Sequence, residues 1–259
     1  MKRGIIAKGL LISSMLMGCS TSSVASTVST SSHEYHCRKI DYYDYSSPVP
    51  TTEEAVDDSY FTDTFFGGDS RMGSLYLYSN LRDKGAEVWY CESLSLFRIY
   101  DMLNADMSEQ FGDATLYTLL TTTEKKNIYI WLGINEIRSD NFDSWKETYG
   151  SIIDEIKTSD PTKKIYIMSC YHPRSISGLT DEQVTQQVQL VNDTMQSMAN
   201  EHHVYYYNTD DGMIDESGKI KEEWVWDGLH LNYDGTDAFA DQITRHVVKE
   251  DAYVKEICE

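Results

Sequence analysis

The chain has 259 residues, 41% of them hydrophobic, and sets 22 Lys and Arg against 42 Asp and Glu for a formal net charge of −20. That length suffices for one sizeable α/β domain with its own core. The acidic balance, without Lys/Arg clusters, excludes nucleic acid and anionic lipid headgroups as binding partners and fits solubility outside a cell.

At the N-terminus, Lys2, Arg3 and Lys8 flank an apolar run, Gly9 to Met17, that is too short to span a bilayer as a mature helix and reads as a secretion signal. Leu16-Met17-Gly18-Cys19 resembles a bacterial lipoprotein cleavage box, which makes residues 1–18 the signal peptide and Cys19 the lipidated residue. Cleavage near Ala25 as an ordinary signal peptide is the alternative. The polar tract from Ser20 to Thr27 cannot bury a core and serves as a tether. Residues 30–58, rich in Tyr, Ser, Asp and Pro without a period, continue it as an irregular arm, so the folded domain is expected over 59–259. His33, His36 and Cys37 are too few for a metal site, and no metal is expected. Beyond Cys19 there are four cysteines. Cys37 and Cys258 lie near the two ends of the folded part and suit a terminal clasp, while Cys91 and Cys170 fit either a second bridge or two buried thiols.

The spacing then predicts a strand over Tyr60 to Phe66, a tight Gly67-Gly68-Asp69-Ser70 turn, and a helix running to about Arg82. Ala86 to Cys91 is a second strand, followed by helical stretches within Leu94 to Met107 and Ala114 to Leu120. Asn127 to Gly133 is apolar almost throughout, as buried parallel strands are. A helix over Phe142 to Lys157 leads to a fourth strand, Lys164 to Cys170. Thr180-Asp181-Glu182-Gln183 fits a capping box opening a long helix to Asn200, before a fifth strand, Val204 to Tyr207, and a closing helix over Asp234 to Val248. Asp210, Asp211 and Asp215 lack calcium-loop spacing and read as a turn, and His202-His203 reads as a helix end. The alternation argues a doubly wound, mainly parallel five-stranded sheet with helices on both faces, whose ligands bind at the carboxyl ends of the strands.

Residues with chemical potential fall at that edge. Ser70 follows the first strand, Gly133-Ile134-Asn135-Glu136 follows the third, and Asp227-Gly228-Leu229-His230 precedes the last helix. Each motif alone is ordinary turn chemistry. Together and in order, over most of residues 60–250, they resemble the SGNH/GDSL-type serine hydrolases, and the flavodoxin-like three-layer sandwich of that family is the implied fold. The resemblance implies Ser70 as nucleophile, His230 as general base, Asp227 as its orienting carboxylate, and the Ser70 N–H with the Asn135 amide as oxyanion donors. Two positions depart from the family pattern: Ser93 stands where a glycine usually offers a third oxyanion N–H, and Glu136 where Asp is usual.

These readings imply a surface-anchored serine esterase working through an acyl-enzyme without metal or organic cofactor, on a short acyl group, most simply acetyl, of a carbohydrate. Arg138, Tyr171, His172 and Trp226 sit beside the motifs as expected substrate contacts, with Trp224 either beside them or in the core. An acyltransferase acting on an envelope polysaccharide uses the same residues, and a non-catalytic envelope binding protein on the same scaffold is the reading from another class.

Overall fold

A computed structural model describes residues 37–101, 108–139 and 141–258 of the chain; the expected signal, lipidation site and tether, with His33 and His36, lie outside the described residues. Among the described residues the strands are β1 (Cys37–Asp41), β2 (Thr64–Gly68), β3 (Glu87–Tyr90), β4 (Asn127–Trp131), β5 (Lys164–Met168), β6 (Tyr205–Tyr207) and β7 (Val254–Cys258). The helices are α1 (Ser70–Tyr78), α2 (Ser108–Phe111), α3 (Leu116–Thr122), α4 (Phe142–Ser159), α5 (Asp181–His202) and α6 (Tyr233–Arg245). Residues 39–255 form one compact unit, and the described remainder is residues 37–38 and 256–258.

Five strands make one sheet in the order β3-β2-β4-β5-β6, every neighbouring pair parallel. The chain leaves β2 for the edge strand β3 and then crosses to β4, so the winding reverses at β2 and opens a crevice at its carboxyl end. Both β2 and β4 are buried along their whole length, which is why their sequences run apolar without alternation. One face carries a row of aromatic rings at paired register positions: Phe66 on Tyr129 at 4.7 Å, Tyr129 on Tyr166 at 4.3 Å, and Tyr166 on Tyr205 at 4.9 Å. Stacked cross-strand pairs of this kind fix the register as well as burying area. Phe239 of α6 packs on Trp131 and Tyr207 on that face, with α1 beside α6. On the other face α3 meets β2 and the helices α3, α4 and α5 pack in succession, completing three layers.

Most boundaries follow the sequence reading, including the capping box, in which Thr180 accepts the Gln183 N–H and the Gln183 side chain accepts the Thr180 N–H. Three differ. The first strand begins at Thr64, because Asp57 accepts the Ser59 N–H and winds Asp58–Asp63 into a 3₁₀ turn. It also runs on through both glycines: a Cβ at Gly68 would meet the Trp131 carbonyl oxygen of β4 at 2.4 Å and one at Gly67 the Leu116 side chain of α3 at 2.4 Å, so these glycines admit a strand and a helix at close range and the turn falls after them. Helix α1 stops at Tyr78, where extended Ser79 returns its N–H and hydroxyl to the Leu75 carbonyl. Strands β1 and β7 pair with each other inside what reads as an irregular arm and tail. Cys37 is disulfide-bonded, in the strand paired with the one ending in Cys258, whereas Cys91 and Cys170 are free thiols.

Three charged side chains are buried at the carboxyl edge: Asp69, Arg71 and Glu136. Arg71 grips Asp69 with two hydrogen bonds, Nε to Oδ1 at 3.0 Å and Nη2 to Oδ2 at 2.7 Å. Burial opposes the guanidinium charge, but Asp69 overrides it and holds Arg71 above the ordinary arginine value. Glu136 accepts the Leu96 N–H on Oε1, and its Oε2 has no hydrogen-bond partner among the described residues. Burial pushes the Glu136 carboxyl up to about 7; the Leu96 N–H and Arg71 pull the other way and Asp69 adds to the rise.

A raised carboxyl makes stability fall with pH. Below the ordinary value of 4.5 both folded and unfolded chains are protonated there; between 4.5 and about 7 the folded chain keeps a proton that the unfolded chain releases, and above that the loss is complete. The full span corresponds to roughly 3 kcal/mol. Glu136→Gln should therefore flatten this part of the curve of Tm against pH, gaining on wild type between pH 5 and 8. Parallel curves for the two proteins would show that Glu136 does not carry the effect.

Candidate active site

Ser70 is the first residue of α1, placed there by the abrupt end of β2 and by Asp69, whose carboxylate accepts the Arg71 N–H as the helix cap. The first N–H groups of a helix have no partner within it and point at whatever sits on the end. The side chain of the nucleophile candidate therefore shares its position with a ready anion site.

The other half is a self-bracing loop. Asp227 accepts the N–H of Leu229 at 3.0 Å and of His230 at 2.8 Å on one oxygen, and its other oxygen takes the His230 Nδ1–H at 2.8 Å. Gly228 between them has φ +86°, a left-handed angle that the tight turn requires. Partial burial raises the Asp227 carboxyl, but the His230 N–H, the imidazole and the Leu229 N–H outweigh it and hold the group below the ordinary aspartate value. With Nδ1–H committed to Asp227, Nε2 is the accepting nitrogen, and it lies 2.9 Å from Ser70 Oγ. The three expected residues are thus one continuous hydrogen-bonded line.

This line opens into a pocket of about 340 Å³ lined by Ser70, Gly73, Ser74, Leu77, Tyr78, Tyr90, Glu92, Ser93, Trp226, His230 and Leu231. Its floor is one face of α1, since 70, 73, 74 and 77 follow helical spacing from the nucleophile position. Ser93 lines it with φ +55°, one of two non-glycine residues with a left-handed angle among the described residues. No acceptor among the described residues takes its N–H. That angle costs a non-glycine residue roughly 1 kcal/mol. Asn135 is exposed, and its Nδ2 donates to the Leu94 carbonyl at 2.8 Å, which leaves one amide hydrogen over.

Of the expected substrate contacts, Trp226 lines the pocket and is 60% exposed. Tyr171 is corrected to a core residue: it is fully buried against Trp131 and its hydroxyl donates to the Leu229 carbonyl. His172 and Arg138 do not line the pocket, and neither does Asn135. His172 is tied to Asp210 through both its N–H and Nδ1, and Arg138 donates to the Ser177 carbonyl. Trp224 is half-buried under the Lys221 ammonium, 3.8 Å from its ring. Among the described residues no group of three or more His, Cys, Asp or Glu is placed to hold a metal. The sequence reading missed Leu77, Tyr78, Glu92 and Tyr233. Tyr233 packs edge-on against both Tyr78, at 4.6 Å, and Trp226, at 5.6 Å, making an exposed aromatic rim. Counting helical steps forward from Ser70 finds Leu77 and Tyr78; nothing local in the sequence brings Tyr233 to them. A larger cavity, about 700 Å³, opens at the amino ends of β4 and β5, between Lys126, Asn127, Lys164 and Ile165, away from Ser70.

The fold matches solved structures at low identity. A GDSL-like lipase from Bacteroides thetaiotaomicron aligns with a TM-score of 0.52 at 14% identity, covering 70% of this chain and 84% of that one. A proposed acylhydrolase from Bacteroides fragilis aligns at 0.52 and 13%, covering 78% and 91%, and a G-D-S-L family protein from Desulfitobacterium hafniense at 0.51 and 11%, covering 71% and 99%. No curated protein matches the sequence. Residues 58–238, which span the sheet, Ser70 and the Asp227–His230 loop, match the profile of the GDSL-like lipase/acylhydrolase family, and the chain belongs to that family.

Proposed function

We propose that the chain is a serine esterase that removes a short acyl group, acetyl in the simplest case, from a carbohydrate outside the cell, where Cys19 carries its lipid anchor. The observation that carries this reading is the unbroken Ser70–His230–Asp227 line opening into a pocket with an aromatic rim. Ser70 Oγ attacks the ester carbonyl carbon as its proton passes to His230 Nε2, and Asp227 holds the ring and stabilises the imidazolium. The Ser70 and Ser93 N–H groups, with the Asn135 amide, receive the developing oxyanion. His230 then gives its proton to the departing sugar oxygen. Water, deprotonated by the same imidazole, attacks the acyl-enzyme and releases the carboxylic acid.

Carbohydrate is supported by the rim: Tyr78, Tyr233 and Trp226 present exposed rings beside the nucleophile, a surface suited to stacking on a sugar face. A short acyl group is supported by the size of the pocket, about 340 Å³, at the small end for a ligand site. A longer chain needs ~0.8 kcal/mol of apolar burial for each added methylene to be preferred.

A fluorophosphonate probe should label wild type and not Ser70→Ala. His230→Ala should lose ~10⁴-fold or more in kcat, and Asp227→Asn less, since the Asn oxygen still accepts the loop N–H groups. Labelling of Ser70→Ala would remove the nucleophile assignment.

Against p-nitrophenyl esters of graded length, acetyl should exceed octanoyl in kcat/KM. Trp226→Ala should raise KM for an acetylated oligosaccharide several-fold while leaving p-nitrophenyl acetate nearly unchanged. A preference for octanoyl, or equal effects of Trp226→Ala on both substrates, would overturn the carbohydrate reading.

A further inference from the structure

We infer that Glu136 is a positioning residue: together with Asn135 it clamps the segment 92–96 so that Ser93 keeps its N–H turned toward the reacting oxygen. The inference rests on the esterase reading above. Its basis is a pair of neighbouring side chains holding one short segment at two points. Asn135 Nδ2 donates to the Leu94 carbonyl, and Glu136 Oε1 accepts the Leu96 N–H. Between β3 and those two anchors lies Ser93, at φ +55°, with its N–H untaken among the described residues and its place in the pocket wall beside Ser70 and His230.

A serine does not hold a left-handed angle by its own preference; glycine does. Something must over-determine it, and the two hydrogen bonds just after Ser93 do so together with the Cys91 N–H to the Gly68 carbonyl just before it. Glu136 is suited to the task because it is itself packed into the interior. It is 2% exposed and surrounded by the Asp69–Arg71 pair at the head of α1, by Tyr149 of α4, and by the Cys170 thiol after β5. Leu94 and Leu96, both just after Ser93, are buried, so the segment is also packed where it is clamped.

The experiment compares Glu136→Leu and Glu136→Gln with wild type on p-nitrophenyl acetate and its thiono analogue, in which sulfur replaces the carbonyl oxygen and fits an oxyanion site poorly. Glu136→Leu removes the acceptor and should lower kcat for the oxygen ester about 10–100-fold, with KM within threefold. The ratio of oxygen-ester to thiono-ester kcat should fall with it. Glu136→Gln keeps an accepting oxygen and should stay within about threefold of wild type in kcat and in that ratio. If Glu136→Leu does not fold, Glu136→Asp takes its place: the pulled-back carboxylate leaves Leu96, and the same losses are expected. In a Ser93→Gly background, where the left-handed angle needs no support, either substitution should cost less. A folded Leu or Asp variant with kcat within twofold of wild type and an unchanged ratio would overturn the inference, even with a lowered Tm, because it would leave Glu136 a structural brace only. Fluorophosphonate labelling of Ser70 in the same preparations separates this outcome from failure of the esterase reading itself.

Discussion

The buried ion pair between Asp69 and Arg71 is the constraint from which the rest of the site follows. Isolated, either charge at zero exposure would be prohibitively costly, and even a pair gains little net stability from being buried. Its consequence is geometric. Asp69 caps α1, takes both arms of Arg71, and donates its own N–H to the Trp131 carbonyl, so the end of β2, the start of α1 and the end of β4 are fixed to one another. The guanidinium then lies 4.8 Å from the Trp131 ring centre and 6.0 Å from that of Tyr171. Tyr171 passes the constraint on, since its hydroxyl holds the carbonyl of Leu229, the residue before His230. A contiguous run of packed and hydrogen-bonded groups therefore connects the turn bearing Ser70 to the loop bearing His230, and their 2.9 Å contact does not depend on two loops meeting by chance. Arg71 cannot be exchanged for lysine in this role, because the fork geometry and the flat face are both used.

The two halves of the site are built by different means. The Asp227–His230 loop is local: a carboxylate three residues before the imidazole satisfies two backbone N–H groups and one ring N–H, and the bridge between Val225 and Leu231 closes the loop into a narrow ribbon. Such a unit would keep its internal geometry almost anywhere. The oxyanion side is not local, since Ser93 depends on residues some forty positions downstream, and these reach it only because β3, β2 and β4 are adjacent.

This difference explains what could be read in the sequence. The strand-helix alternation, the capping box and the Asp-x-x-His spacing are written in neighbouring residues, and they led to the sheet and to the three residues that the structure brings into line. Gly67 and Gly68 read as a turn because a glycine that opens a turn and one that lets another element approach look the same in a sequence; only the Leu116 side chain and the Trp131 carbonyl, each 2.4 Å from a missing Cβ, tell them apart. Tyr171 was misplaced because following a strand at the active edge says nothing about whether a side chain faces the pocket or the core, and here Arg71 and Trp131 claim it. Strands β1 and β7 are invisible because neither has a fully buried residue among those whose burial is described, nor an alternation to detect. The row of stacked rings across β2, β4, β5 and β6 was visible as four apolar strands, but its register emerges only from pairing.

The charge of the chain has a bearing on direction as well as on partners. A net −20, with Glu92 in the pocket wall, sets a negative potential around the opening. A neutral ester is indifferent to that potential, whereas an anionic sugar or a phosphorylated acyl carrier is repelled before it docks. Ester hydrolysis converts a neutral reactant into a carboxylate inside this field. The product is thus the released species that carries charge of the disfavoured sign, and the field that leaves a neutral substrate unhindered favours its departure. The oxyanion escapes this penalty because it forms at the one point where local donors, the head of α1 and the Ser93 N–H, face inward against the surrounding negative field.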